Sequence, residues 1–373
     1  MKHIEIIILI IICGLTAACD ATIHFYPEPQ PSLVVLQLNV DHNPPLLYKS
    51  VTFDSIWQRS ERMLSNAPSI EYDIPDDYVM RITVEMHDAN LSKGRQTRRA
   101  DATTLISRRV VYVDRNSAAP QDTLHYHLPD GNYFAVAWAD YVPKANPADW
   151  HYNTADINEV VFDPDTYPAN PHLRSAATGS CEFSVDFSLS PEGYPTTAEA
   201  ANRPIIDRSV PLFMKRPAGR FRIIASDIDL YRDIIDQCSV TVIYRQFIST
   251  GYSPVRHEPT EIIGSYQWSA PLYIESYTLG GCSPTDQSII TDYIFANPTR
   301  ESRIIADFYF FDPRGNCFNQ CIGIEIPIFA NRETIVKGNV LTSSPDYKPG
   351  DNGVNIDEGF DGEIIVHFSK SLY

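Results

Sequence analysis

Tyr78-Val79-Met80-Arg81-Ile82-Thr83-Val84-Glu85-Met86 alternates without a break. Val79, Arg81, Thr83 and Glu85 fall on one side, and Met80, Ile82, Val84 and Met86 on the other. A period of two is the signature of a β-strand, whose successive side chains point to opposite faces. The same habit spreads outward in both directions. Toward the N-terminus it appears at 32–40, and toward the middle at 109–113, 123–128, 132–138, 159–162, 182–189 and 208–214. The second half repeats it at 220–225, 239–247, 266–274, 292–297, 303–311, 321–328, 334–341 and 362–369. Pro, Gly, Asn and Asp punctuate these runs, as they do between short strands. Two stretches read as helical: 55–65, where Ile56, Arg59 and Met63 fall at helical spacing, and 228–237. The pattern predicts a mainly β, predominantly antiparallel protein of two β-sandwich domains.

The first residues predict export. Met1-Lys2-His3 opens the chain, and the apolar run 6–12 is too short to span a bilayer comfortably. Gly14-Leu15-Thr16-Ala17-Ala18 then supplies the small residues that a signal peptidase accepts. Cys19 follows directly, an arrangement that resembles a bacterial lipobox, in which the cysteine is acylated and becomes the new N-terminus. Thr16 stands where that pattern usually has leucine. Cys13, among isoleucines, does not fit the acylated position. The expectation is a lipoprotein anchored to a membrane through Cys19. The alternative is an ordinary signal peptide or short anchor with Cys19 incidental. Pro27, Pro29 and Pro31 give the following segment the composition of an extended, semi-rigid tether. The expected divisions are therefore a signal peptide at 1–18, a tether at 19–31, and β domains at 32–214 and 215–373. No later apolar run is long enough to cross a membrane.

A chain of 373 residues with 43% hydrophobic and 11% aromatic content is globular rather than disordered, and long enough for two cores. Its formal charge of −17 argues against nucleic acid as a partner, because phosphates would be repelled. Beyond Cys13 and Cys19 the cysteines are Cys181, Cys238, Cys282, Cys317 and Cys321. Five cannot all pair within one chain, and up to two bridges are open in an oxidising envelope. Cys317 and Cys321 are too far apart along an extended chain to bond without a turn.

Candidate chemistry is sparse. His125 and His127 flank Tyr126 on one strand face, the geometry of two metal ligands without a third; a solvated strand face explains them as well. Asp351, Asn355, Asp357, Asp361 and Glu363 could gather calcium oxygens, but Gly353 arrives too early for an EF-hand, and turn chemistry is the simpler account. Lys93, Arg95, Arg98, Arg99, Arg108 and Arg109 form a basic run in an acidic protein, either open to a trypsin-like protease or balancing nearby acids. No G-x-S-x-G, H-E-x-x-H or phosphate-binding glycine loop occurs, and no carboxylate pair stands out, so neither an enzyme nor a cofactor is expected.

Longer stretches carry a family likeness. Asn132-Tyr133-Phe134-Ala135-Val136-Ala137-Trp138-Ala139-Asp140-Tyr141 with Trp150-His151-Tyr152-Asn153-Thr154 resembles the DUF6562-type lipoproteins of Bacteroidales. Arg108-Arg109-Val110-Val111-Tyr112-Val113-Asp114-Arg115 belongs to the same pattern, as does Lys215-Arg216-Pro217-Ala218-Gly219-Arg220-Phe221. Ile326-Pro327-Ile328, Asn331-Arg332-Glu333-Thr334 and Leu341-Thr342 are similar to the endings of fimbrillin-like proteins. Gly353-Val354-Asn355-Ile356-Asp357 and Phe360-Asp361-Gly362-Glu363 extend that match. The resemblance implies two sandwiches of transthyretin- or Ig-like build, and a place among fimbrial subunits and their lipid-anchored assembly partners. Those proteins join by adding an extended segment of one chain to an open sheet of another. Residues 362–369 would then be a candidate donor strand or an ordinary closing strand. The implied partners are a membrane, reached through the lipid, and fimbrial subunits or other surface proteins. The rival expectation is a glycan-binding or adhesin module in which Trp138, Trp150, Tyr152 and Trp268 stack on sugar. Exposure separates the two readings, because glycan platforms need aromatics on an open face.

Overall fold

The computed structural model describes residues 31–70, 72–89, 104–114, 122–148, 150–185, 208–245 and 248–342. Strands dominate it, and no helix among the described residues is long and apolar enough to cross a membrane.

The strand Tyr78–Asp88, which contains the alternating stretch, lies inside a four-stranded antiparallel sheet. The order is Ala177–Val185, Gly131–Pro143, Tyr78–Asp88, Thr104–Val113. Facing it is a three-stranded sheet ordered Arg208–Met214, Ser32–Val40, Thr123–Leu128. Ile82, Val84 and Met86 from the first sheet meet Val34, Leu36, Leu124 and Leu212 from the second in one apolar core. Here Ser32–Val40 runs antiparallel to Thr123–Leu128 but parallel to Arg208–Met214. The two sheets are stitched at one corner, where Thr178 and Lys215 exchange backbone hydrogen bonds of 2.8 Å each. Gly179 is required there: a Cβ would sit 2.0 Å from the Phe213 carbonyl oxygen.

The polar side of Tyr78–Asp88 is buried as well. Arg81, Thr83, Glu85 and His87 each keep less than a tenth of their surface, because this sheet is covered on its second face. That cover includes Tyr152, Val160, Phe162 and Tyr252, which share a cluster with Val136 and Trp138.

The second half builds a six-stranded sheet ordered Glu275–Ser276, Gln287–Phe295, Ala218–Ala225, Arg332–Gly338, Leu46–Phe53, Arg59–Met63. It shares its core with a four-stranded sheet ordered Tyr266–Pro271, Ser239–Tyr244, Ser302–Phe311, Cys317–Ile328. Two strands of the six-stranded sheet thus come from before residue 64. Leu46–Phe53 lies parallel to Arg332–Gly338, so residues on both sides of 214/215 share this sheet.

The helical readings need correcting. Residues 55–65 form a turn and a strand. The Asp54 carboxylate accepts the Ile56 and Gln58 amides, Trp57 turns the backbone at a φ of 59°, and Arg59–Met63 pairs antiparallel with Leu46–Phe53. An available strand edge outweighs a helical spacing of three apolar or long side chains. In place of one helix, 228–237 holds two single 3₁₀ turns, Ile228–Leu230 and Ile235–Gln237, neither with a side-chain cap. The Asp227 carboxylate instead accepts the Leu341 and Thr342 amides.

Candidate interaction edge

Every strand at the end of a sheet leaves one row of backbone donors and acceptors for something else to use. Thr104–Val113 is such a strand. It pairs with Tyr78–Asp88 on one side, and among the described residues no strand pairs with the other. Its side chains are unusual for an exposed edge: Leu105, Ile106, Val110 and Tyr112 are 49%, 45%, 44% and 46% exposed. Natural sheets usually blunt such edges with charge. Here the two arginines remain exposed but are each engaged by a neighbour, on opposite faces of the strand. Arg108 donates to Glu85 at 2.5 Å and to the Thr154 carbonyl. The Arg109 guanidinium lies 4.5 Å from the centroid of the Tyr126 ring. Tyr126 belongs to Thr123–Leu128, the edge strand of the facing sheet, so Arg109 bridges two strands that, among the described residues, each end their sheet.

Glu85 also accepts from His87 at 3.0 Å. Burial opposes its charge, yet His87 and Arg108 hold its carboxyl below the ordinary range. The basic run therefore does more than balance charge at this end: Arg108 and Arg109 fix the edge strand. The positions 93, 95, 98 and 99 lie outside the described residues.

The aromatic residues offered for glycan stacking are mostly core. Trp138, Tyr152 and Trp268 are 0%, 3% and 6% exposed. Trp138 meets Tyr152 edge-on at 5.2 Å, and Trp268 stacks on Tyr167 at 3.8 Å while its indole N–H donates to Asp292 at 3.0 Å. Trp150 is half-buried against Tyr78. These four side chains make no open platform. His125 and His127 are exposed on one face of Thr123–Leu128, opposite Val35 and Leu33. Among the described residues no group of three or more His, Cys, Asp or Glu side chains is placed to hold a metal. Cys181, Cys238, Cys282, Cys317 and Cys321 are all free thiols. Cys19, the proline tether up to residue 30, the acidic stretch from Asp351 to Glu363 and the strand reading at 362–369 lie outside the described residues.

Sequence reasoning missed a buried ionic lattice between the halves. Glu333, fully buried, accepts from Arg220, from Arg222 at 3.2 Å, from the Tyr277 hydroxyl at 2.5 Å and from Ser69 at 2.7 Å. Arg222 also reaches Glu275, whose other oxygen meets His172 at 3.0 Å. Arg174 pairs with Asp292, which accepts further from Tyr244 and Trp268. Burial opposes ionisation of Glu333, but Arg220 and Arg222 keep its carboxyl below the ordinary value. Glu275 is held down to about 2, against burial, by His172 and Arg222. Burial pushes His172 down to about 4 despite Glu275. The sequence signal was present in Ala218–Ala225, where Arg220 and Arg222 alternate with apolar residues. Such alternation reads as a solvated face, and only the packing reveals that both faces are covered.

A pocket at the junction is lined by Asp41, Tyr72, Ser175 and Arg216 among others and holds about 30 Å³. Small-molecule sites run to roughly 300–1,000 Å³. The pocket takes a functional group, not a whole sugar.

Residues 34–372 match the model of a family of unknown function, DUF6562. No curated protein matches the sequence. The fold is similar to several solved structures. A candidate adhesin of Bacteroides thetaiotaomicron is 10% identical with a TM-score of 0.42, covering 84% of this chain and 94% of that one. A candidate polysaccharide-binding protein of the same organism is 11% identical, with a TM-score of 0.38 and coverage of 78% and 80%. The fimbrial anchor protein Mfa2 of Porphyromonas gingivalis is 11% identical, with a TM-score of 0.34 and coverage of 78% and 81%.

Proposed function

The chain belongs to the DUF6562 family, and on that premise we propose that it is a lipid-anchored cell-envelope protein acting as a fimbria-related structural, assembly or anchor component. Its lipid would sit on Cys19 and hold it at the outer membrane. Its partners would be fimbrial subunits or other surface proteins, engaged by strand addition.

The observation that carries this reading is the edge strand Thr104–Val113. It combines an unpaired backbone row, among the described residues, with four exposed apolar side chains. Strand addition uses both features at once. Main-chain hydrogen bonds supply affinity, and side chains at alternate positions supply selectivity. An incoming strand would find Val110 and Tyr112 two residues apart, on the same face. An exposed apolar edge of this length in an unassembled protein is an aggregation hazard, so a standing partner accounts for its persistence. The rival reading, glycan binding without catalysis, is weakened at the residues it named, because Trp138, Tyr152 and Trp268 are enclosed.

Crosslinking in intact envelopes followed by co-purification tests the proposal. Recovery of discrete protein partners supports it. Recovery of a monomer alone, together with saturable glycan binding, overturns it.

A further inference from the structure

Five arginines are buried in the described residues: Arg81, Arg174, Arg216, Arg220 and Arg222. Four of them meet a carboxylate, Arg81 at Asp140, Arg174 at Asp292, and Arg220 and Arg222 at Glu333. Arg216 is 7% exposed and among the described residues meets none. Its Nη1 donates to the Asn43 carbonyl at 2.5 Å and, at 3.4 Å, to Asn331 Oδ1; its Nε lies 3.4 Å from Ser175 Oγ. These are neutral acceptors, and among the described residues Nη2 meets no acceptor and stays open to the pocket side. A buried cation without a counter-charge is costly, and this protein answers that cost with a carboxylate at its four other buried arginines.

Arg216 also lines the junction pocket, beside Ser175 and Tyr72, with Asp41 the one acid among the lining residues. The space, about 30 Å³, has room for about two waters at 10–15 Å³ each, the scale of a small polar group such as a carboxylate. We infer that this pocket binds a carboxylate, with the guanidinium edge of Arg216 and the Ser175 hydroxyl as donors. The carboxylate would belong to a free small acid or to a sugar acid whose ring stays at the mouth. Planar guanidinium suits this geometry because it can donate two parallel hydrogen bonds to one carboxylate. The inference stands apart from strand addition and uses none of its residues.

Calorimetry on the full chain tests it, titrating acetate, glucuronate and uncharged glucose at neutral pH and constant ionic strength. Saturable binding of acetate or glucuronate, with none for glucose, is expected. Equal affinities would assign the site to any small carboxylate, and tighter glucuronate to a sugar acid. Arg216→Gln should weaken binding at least tenfold, the loss of a charge-assisted pair. Asp41→Asn keeps the side-chain oxygen that accepts from Asn43 and removes the neighbouring negative charge. It should tighten binding about threefold, the scale of one screened charge nearby. Should Arg216→Gln not fold, the Asp41→Asn result decides. No binding at millimolar concentration, or an affinity unchanged in Asp41→Asn, overturns the inference.

Discussion

Replacing Glu333 by glutamine would keep the shape of the side chain and remove the one charge shared by Arg220 and Arg222. Breaking one partner of a buried ion pair costs more than the pair contributes, because the remaining charge stays desolvated. Denaturant unfolding of Glu333→Gln should show a loss of about 3–5 kcal/mol; a loss within 1 kcal/mol would contradict the lattice described here. His172 gives the same lattice a pH signature. In the folded chain it takes up its proton only near pH 4, whereas an unfolded histidine does so near pH 6.5. Between those values the unfolded state binds more protons, so stability falls as pH drops. Glu275, held to about 2, adds a further loss below pH 4.5. A His172→Asn variant should flatten the decline between pH 6.5 and 4; an unaltered slope would show that His172 does not set it. Single residues were only partly legible. The alternation placed His125 and His127 together on one face, but it could not show that Arg220, Arg222 and Glu333 face inward, since burial on both sides of a strand leaves no mark on its period.

Edge strands decide what an element can do for a partner. Val110 lies opposite Thr83 on Thr104–Val113, half-exposed and on the outer strand of its sheet. Lysine at such a position is a standard guard against pairing. Val110→Lys should abolish association with partners while changing stability by no more than about 0.5 kcal/mol, as surface substitutions do. Size-exclusion chromatography and thermal unfolding on the same samples would check both halves of that statement. Most strands were readable from their period, including Tyr78–Asp88 and Gly131–Pro143. The stretch 55–65 was not, because a helical spacing of three residues says nothing about the free edge of Leu46–Phe53 that captures Arg59–Met63. Parallel pairings were equally hidden, since register between distant strands is set by packing and not by either strand alone.

At the scale of the molecule, the mainly β architecture was legible and the interleaving was not. The motif around Arg216 suggests a boundary near 214, yet Leu46–Phe53, from before it, pairs with Arg332–Gly338, from after it. Nothing in either strand's composition marks a partner so far along the chain. The anchor is argued from Thr16-Ala17-Ala18-Cys19. Labelling with radioactive palmitate should mark the wild-type chain and leave Cys19→Ala unlabelled; label retained in the variant would refute acylation at that residue. An acylated chain would be held firmly, since each buried methylene contributes about 0.8 kcal/mol. A photo-crosslinking residue placed at Val110 in living cells probes the anchored protein at its edge strand. A covalent adduct with one extended segment of an envelope protein is expected, lost when Tyr112 is changed to lysine. A chain that stays free of protein adducts at Val110 while membrane-bound would contradict it.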